Sequence, residues 1–199
     1  MKKTLLLFCL LGFFQAKAQV GFSPGIRAGA NFSSLSHVDS NTRTDFYVGL
    51  VGAVKLAPFY TLQPELNYSR QGANDIHYRN YDWIPPVGRE QEYGQRMTGN
   101  LAYQYMGVSI INKFHIKNFN LQVGPGLDVM VQAPEYITNE VDLTLNLGVG
   151  YKLTESLGIE ARLKVGMIDP FNDYFVDFDD NHEYITNNVF QVGLFYKFK

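Results

Sequence analysis

The sequence predicts an all-β fold: an eight-stranded antiparallel up-and-down transmembrane β-barrel with a polar lumen filled by side chains. Three observations carry this expectation. Beyond residue 20, apolar and polar residues alternate with period two, and helical i, i+3, i+4 patterning is nearly absent. The alternating segments are each about ten residues long, enough for a tilted strand to cross a bilayer. Their connections alternate between short and long, as they do in a membrane barrel; a Greek-key sandwich has no reason to alternate this way.

The segments follow in order. Near 24–34, Ile26, Ala28, Ala30 and Phe32 alternate with Arg27, Gly29 and Asn31. Near 45–56, Phe46, Val48, Leu50, Gly52, Val54 and Leu56 alternate with Tyr47, Gly49, Val51, Ala53 and Lys55. The third, near 60–71, sets Leu62, Pro64, Leu66 and Tyr68 against Gln63, Glu65, Asn67 and Ser69. The fourth, near 100–114, sets Met106, Val108 and Ile110 against Tyr105, Gly107 and Ser109. The fifth, near 119–132, sets Leu121, Val123, Leu127, Val129 and Val131 against Gln122, Gly124, Gly126, Asp128 and Gln132. The last three, 141–153, 157–168 and 187–199, alternate most clearly, as in Leu157, Ile159, Ala161, Leu163 and Val165 against Gly158, Glu160, Arg162 and Lys164. Short turns are expected around 57–58, 115–117 and 154–156, and longer loops at 35–44, 72–98, 133–140 and 169–186. Pro64 and Pro125 fall inside strands, where each lacks a ladder donor, and a local bulge is expected at each.

The chain opens with MKKTLLLFCLLGFFQAKAQ. Two lysines, a short apolar run and the small-x-small site Ala16-Lys17-Ala18 read as a secretion signal, and the run is too short to span a bilayer. Residues 1–19 are therefore expected to be a cleaved signal peptide and 20–199 a single barrel domain. The only cysteine, Cys9, lies in the signal, so the mature chain is expected to hold by burial and hydrogen bonding without disulfides. A net charge of −2 gives no electrostatic case for nucleic acid. No cofactor is expected.

The stretch FYVGLVGAVKLAPFYTLQPELNYSRQGA, residues 46–73, resembles the second hairpin of the small outer-membrane β-barrel domain family that includes the PorT-type proteins. The apolar run ending in Lys113, the Gly124-Pro125 pair and the closing VFQVGLFYKF, residues 189–198, are similar to the same family. Departures are Lys199 after the terminal Phe198, and Ser109 where members often carry proline. The resemblance covers nearly all of the chain after the signal. It implies an integral protein of a Gram-negative outer membrane, inserted by the barrel-insertion machinery and surrounded by outer-membrane lipid; the alternation of short and long connections predicts that both termini are periplasmic. It also implies a structural, interaction or secretion-accessory role alongside other envelope or secretion proteins, and no common catalytic motif.

Two groups of residues are candidates for function. Arg27, Glu65, Asp128, Glu160, Arg162 and Lys164 share the polar parity and should meet in a lumen that eight strands leave just wide enough for side chains. Charges there must be paired, so a structural ionic network is expected rather than an ion path. The loop 72–98 carries Tyr78, Arg79, Tyr81, Trp83, Arg89 and Tyr93, types that dominate contact hot spots. With the acidic loop 169–186 it forms the expected contact surface, unless these side chains pack on the rim as a girdle. In that acidic loop, Asp177, Asp179 and Asn181 match the first positions of a calcium loop, but His182 replaces the turn glycine, so the EF-hand match fails. His37 beside Ser34 and Ser36 is the one local Ser/His cluster, and no Gly-x-Ser-x-Gly elbow is present. A non-enzymatic protein is therefore expected, with a rim-acting lipid-modifying enzyme or a narrow pore as alternatives.

Overall fold

The computed structural model describes residues 21–37, 39–80, 95–132, 139–170 and 185–198, with the backbone alone for 77–80 and 95–97. Eight strands form one closed antiparallel ring: β1 (Gly21–Leu35), β2 (Asn41–Ala57), β3 (Tyr60–Asn80), β4 (Gln95–Ile116), β5 (Phe119–Gln132), β6 (Val141–Lys152), β7 (Leu157–Gly166) and β8 (Asn187–Lys197). Each strand pairs with its chain neighbour, and β1 pairs with β8 to close the ring, with Gly29 opposite Gly193. Closure matters in lipid, where no water satisfies an open edge.

Parity holds all the way round. The polar members of each alternation are buried and the apolar members exposed, as in the β5 pattern where Asn120, Gln122 and Asp128 are buried and Leu121, Val123 and Leu127 exposed. The exposed band is bounded by aromatic pairs. Phe119–Tyr151 at 4.7 Å and Tyr60–Phe114 at 5.4 Å stand at the short-turn end; Phe46–Tyr68 at 6.1 Å and Phe32–Phe190 at 6.3 Å stand at the other. From Phe22 to Phe32 is ten positions, roughly 33 Å of strand and about 25 Å along the axis at a tilt of about 40°. That equals the apolar band of about 25 Å that outer-membrane barrels carry.

Three sequence expectations are corrected. The 72–98 segment is not a loop throughout: β3 runs to Asn80 and β4 starts at Gln95, with Ile76 opposite Gly99 and Asn80 opposite Gln95. These strands are 21 and 22 residues long, about twice what a crossing needs, so the hairpin stands beyond the barrel as an arm. The 35–44 connection likewise shrinks to residues between Leu35 and Asn41. Third, neither proline sits at a bulge. The β2–β3 ladder is interrupted opposite Pro64, between Val51↔Glu65 and Val54↔Leu62, and resumes in the same register. The β4–β5 ladder does the same opposite Pro125, between Ser109↔Gly126 and Asn112↔Val123. Each proline keeps its place on the opposite neighbour, Pro64 with Ile110 and Pro125 with Leu145, so the missing N–H costs one local gap and no inserted residue.

Candidate functional site

The lumen is layered along the barrel axis. At mid-height Arg27, Glu65, Lys113, Glu160 and Arg162 form one cluster, none of them more than 4% exposed. Parity on β1, β3, β4 and β7 aims all five inward, and the curvature of the ring brings them together. The Arg162 guanidinium grips Glu65 with two donors, Nη1 to Oε2 at 2.7 Å and Nη2 to Oε1 at 3.0 Å. Arg27 bridges the two carboxylates, donating from Nη1 to Glu65 Oε2 at 3.0 Å and from Nε to Glu160 Oε1 at 2.7 Å. Lys113 Nζ lies 3.5 Å from Glu160 Oε2. Three cations against two anions leave this layer at +1, with Tyr47 presenting its ring face 4.5 Å from the Arg27 guanidinium.

Amides extend the layer, although Gln63 Oε1 and Arg162 Nε stay buried without a hydrogen-bond partner. Gln63 Nε2 donates to Glu65 Oε1 at 2.8 Å, and Arg162 Nη2 donates to Gln122 Oε1 at 2.8 Å. Arg27 Nη2 reaches Gln191 Oε1 at 3.3 Å; Gln191 Nε2 donates to Asn31 Oδ1 at 2.9 Å, and Asn31 Nδ2 to Ser69 Oγ at 2.7 Å. Farther toward the long connections, Lys164 pairs with Asp128 in a separate ion pair, and the Asp142 carboxylate accepts the N–H groups of Met167 and Ile168 at 3.1 and 3.0 Å. Above these, Leu35, Ala73, Leu101, Tyr103, Tyr105, Met130 and Ile185 pack as an apolar cap, with Ile76 against it.

The structure thus gathers Arg27, Glu65, Glu160 and Arg162 in one cluster and sets Asp128 with Lys164 apart from it. Sequence reasoning overlooked Lys113 and Asp142. Lys113 shares the odd parity of Tyr105 and Ser109, so alternation alone would have placed it inward. Of the contact candidates, Tyr78 and Arg79 lie on the arm, opposite Met97 and Arg96 by backbone pairing. Tyr81, Trp83, Arg89 and Tyr93 lie outside the described residues, as do Asp177, Asp179, Asn181, His182 and the signal segment. Ser36 is tied to Thr186, its Oγ accepting the Thr186 N–H at 2.8 Å. His115 meets Thr61 Oγ1 at 2.9 Å through Nε2, at the short-turn mouth.

A family model described as outer membrane protein beta-barrel domain matches residues 5–198. No curated protein matches the chain significantly. Among solved structures the chain is similar to Neisserial surface protein A, with 16% identity and a TM-score of 0.55 over 89% of this chain and 99% of that one. It is also similar to Ail, the attachment invasion locus protein of Yersinia pestis, at 12% identity and a TM-score of 0.48 over 89% and 99% of the two chains. OprG from Pseudomonas aeruginosa matches at 13% identity and a TM-score of 0.44 over 90% and 97%. The first of these likenesses is one of fold.

Proposed function

The chain belongs to the outer membrane protein beta-barrel domain family, and from that premise we propose that it serves the outer membrane as a non-enzymatic interaction barrel. Both termini face the periplasm in this reading, and the β3–β4 arm projects outward as its contact element. The observation that supports it is the pairing of a filled bore with an overlong hairpin. A bore occupied by paired charges and an apolar cap leaves little for transport to use. The arm, by contrast, offers two strand edges. Asn41 at the start of β2 lies opposite Asn74, and Gln132 at the end of β5 opposite Gln104, so beyond those pairs neither β3 nor β4 has an outer neighbour among the described residues. An edge of this kind accepts a further strand, and the Tyr, Trp and Arg side chains between 78 and 93 supply contact chemistry. The partner class is an envelope or secretion protein, in line with the PorT-type resemblance.

Photo-crosslinkers placed at Tyr78, Tyr81 and Trp83 in cells test this. The arm reading expects one discrete adduct from these sites and none from the lipid-facing Leu147 and Val192. A lipid A or phospholipid profile that changes when the protein is deleted would favour the rim-acting enzyme instead. Cysteines introduced singly at Phe59 and Trp83 should react with an impermeant reagent on intact cells at the second position alone; the reverse result inverts the orientation.

A further inference from the structure

The short-turn mouth of the barrel has a chemistry that neither the ionic layer nor the arm uses. Each even-numbered strand runs toward this mouth, and each carries a lysine at an inward position near its end: Lys55 on β2, Lys113 on β4, Lys152 on β6 and Lys197 on β8. All four line one cavity of about 230 Å³, together with Lys117 from the β4–β5 turn and His115. Glu155 is the one carboxylate lining it among the described residues, so five lysines against one acid give a net of +4. Lys113 shares its charge with Glu160 in the layer below, which still leaves about three uncompensated positive charges around this one cavity. A solvated rim has no need of this placement, because side chains of either parity reach water at a strand end. Here parity directs the lysines to one axis.

The floor of the cavity is shaped for holding ammonium groups in place. The Phe195 ring lies 5.0 Å from Lys113 Nζ and 5.6 Å from Lys197 Nζ, so one aromatic ring serves two cations. Thr61 and Asn120, both buried, add neutral polar atoms beside His115. Among the described residues the lining holds lysines and no arginine, so it presents compact point charges suited to phosphate oxygens rather than the planar fork that grips carboxylates. The volume falls below the roughly 300–1,000 Å³ of drug-sized pockets, which excludes a folded segment and fits a small charged group.

We propose that this lysine-ringed mouth binds phosphate oxygens, either those of a multivalent phosphate on a small soluble molecule or those of anionic phospholipid headgroups reaching over the rim. The proposal is independent of the arm and of which side of the membrane the mouth faces. Clustered like charges repel, and an anion seated among them removes that repulsion while adding charge-assisted hydrogen bonds.

The test uses the refolded barrel in zwitterionic detergent, titrated with inorganic pyrophosphate by calorimetry. Saturable binding is expected, weakening as salt rises. The combined Lys55→Gln, Lys152→Gln, Lys197→Gln variant, checked for folding by heat-modifiable gel mobility, should bind on the order of a hundredfold more weakly. Should that variant not fold, Lys55→Gln and Lys152→Gln alone, both at exposed positions, should each weaken binding about fivefold. Arg43→Gln at the opposite end should change nothing. Repeating the titration in vesicles of phosphatidylcholine, with and without phosphatidylglycerol, separates the sources: competition by the anionic lipid assigns the headgroup, and its absence the soluble molecule. No saturable pyrophosphate binding by the wild-type barrel, equal binding by the lysine variants, or binding of polyglutamate in place of pyrophosphate each overturns the proposal.

Discussion

Between Glu65 and Leu66 the chain passes from one solvent to another: the carboxylate lies among guanidinium groups, and the next side chain, 42% exposed, lies in hydrocarbon. The two positions therefore fail for different reasons when changed. Glu65→Ala removes the bidentate partner of Arg162 and one acceptor of Arg27, leaving three buried cations to Glu160 alone, at a cost of about 3–5 kcal/mol. Glu65→Gln keeps an acceptor for those donors and loses only the charge, so it should cost less. Leu66→Arg brings a charge into lipid near mid-membrane and should cost about 2–4 kcal/mol. Folding titrations into detergent and into bilayers measure all three, and a neutral Leu66→Arg would mean that this face does not meet hydrocarbon. Replacing the whole cluster by well-packed apolar residues is a separate matter, since buried ion pairs are often no better than apolar packing of the same volume. Their value here lies in satisfying one another once parity has placed them inside.

The β3–β4 arm begins where the ladder changes character. Gly72 has φ of +141°, Asp75 has φ of +52°, and the register shifts between Ala73 and Ile76. The Asp75 N–H leaves the ladder and donates to Asn100 Oδ1 at 3.0 Å. A Cβ at Gly72 would run into the Leu101 carbonyl in a backbone conformation that side chains rarely adopt. Gly72→Ala should thus cost about 1–3 kcal/mol. Gly21→Ala, whose Cβ would meet only the Lys55 Cβ at 3.8 Å, should stay within about 0.5 kcal/mol in the same titration. Equal effects at the two sites would contradict the bend. Because this bend separates arm from barrel, excising residues 76–99 in favour of a two-residue turn should leave a barrel that still shows heat-modifiable mobility, while the crosslinked adduct disappears. An unfolded product would mean that the arm is part of the barrel's own stability. Alternation in the sequence ends at 71, nine residues before β3 does, for a physical reason: beyond the membrane both faces of a hairpin meet water, so alternation no longer marks a strand. Tyr78 and Arg79 looked like loop residues for that reason alone.

Over the whole molecule, the legible part was what lipid imposes. One face of every strand had to be apolar for about ten residues, so strand count, parity and the inward set containing Arg27, Glu65, Glu160 and Arg162 could be read from alternation. Which inward groups would meet could not be read, because closure brings together residues as distant as Arg27 and Glu160, 133 positions apart, through stagger that alternation does not encode. The closed lumen that results governs what the molecule can pass. An ion entering from the short-turn mouth meets the lysine ring, then the Arg27–Glu65–Glu160–Arg162 layer, then the Lys164–Asp128 pair and the cap of Leu101, Tyr103, Tyr105 and Met130. In the interaction-barrel reading the ionic layer blocks by occupancy, its groups being paired with one another, and the cap blocks by excluding water, as apolar constrictions do in gated pores. The purified protein should accordingly give no stepwise current in a planar bilayer. Tyr103→Ala combined with Tyr105→Ala should remain silent, because it opens only the cap and leaves the charged layer intact. Stable steps from the wild-type protein would show that the lumen conducts, and would move the narrow-pore reading ahead of the interaction barrel. Steps from the double variant alone would place the whole barrier in the cap and leave the ionic layer permeable.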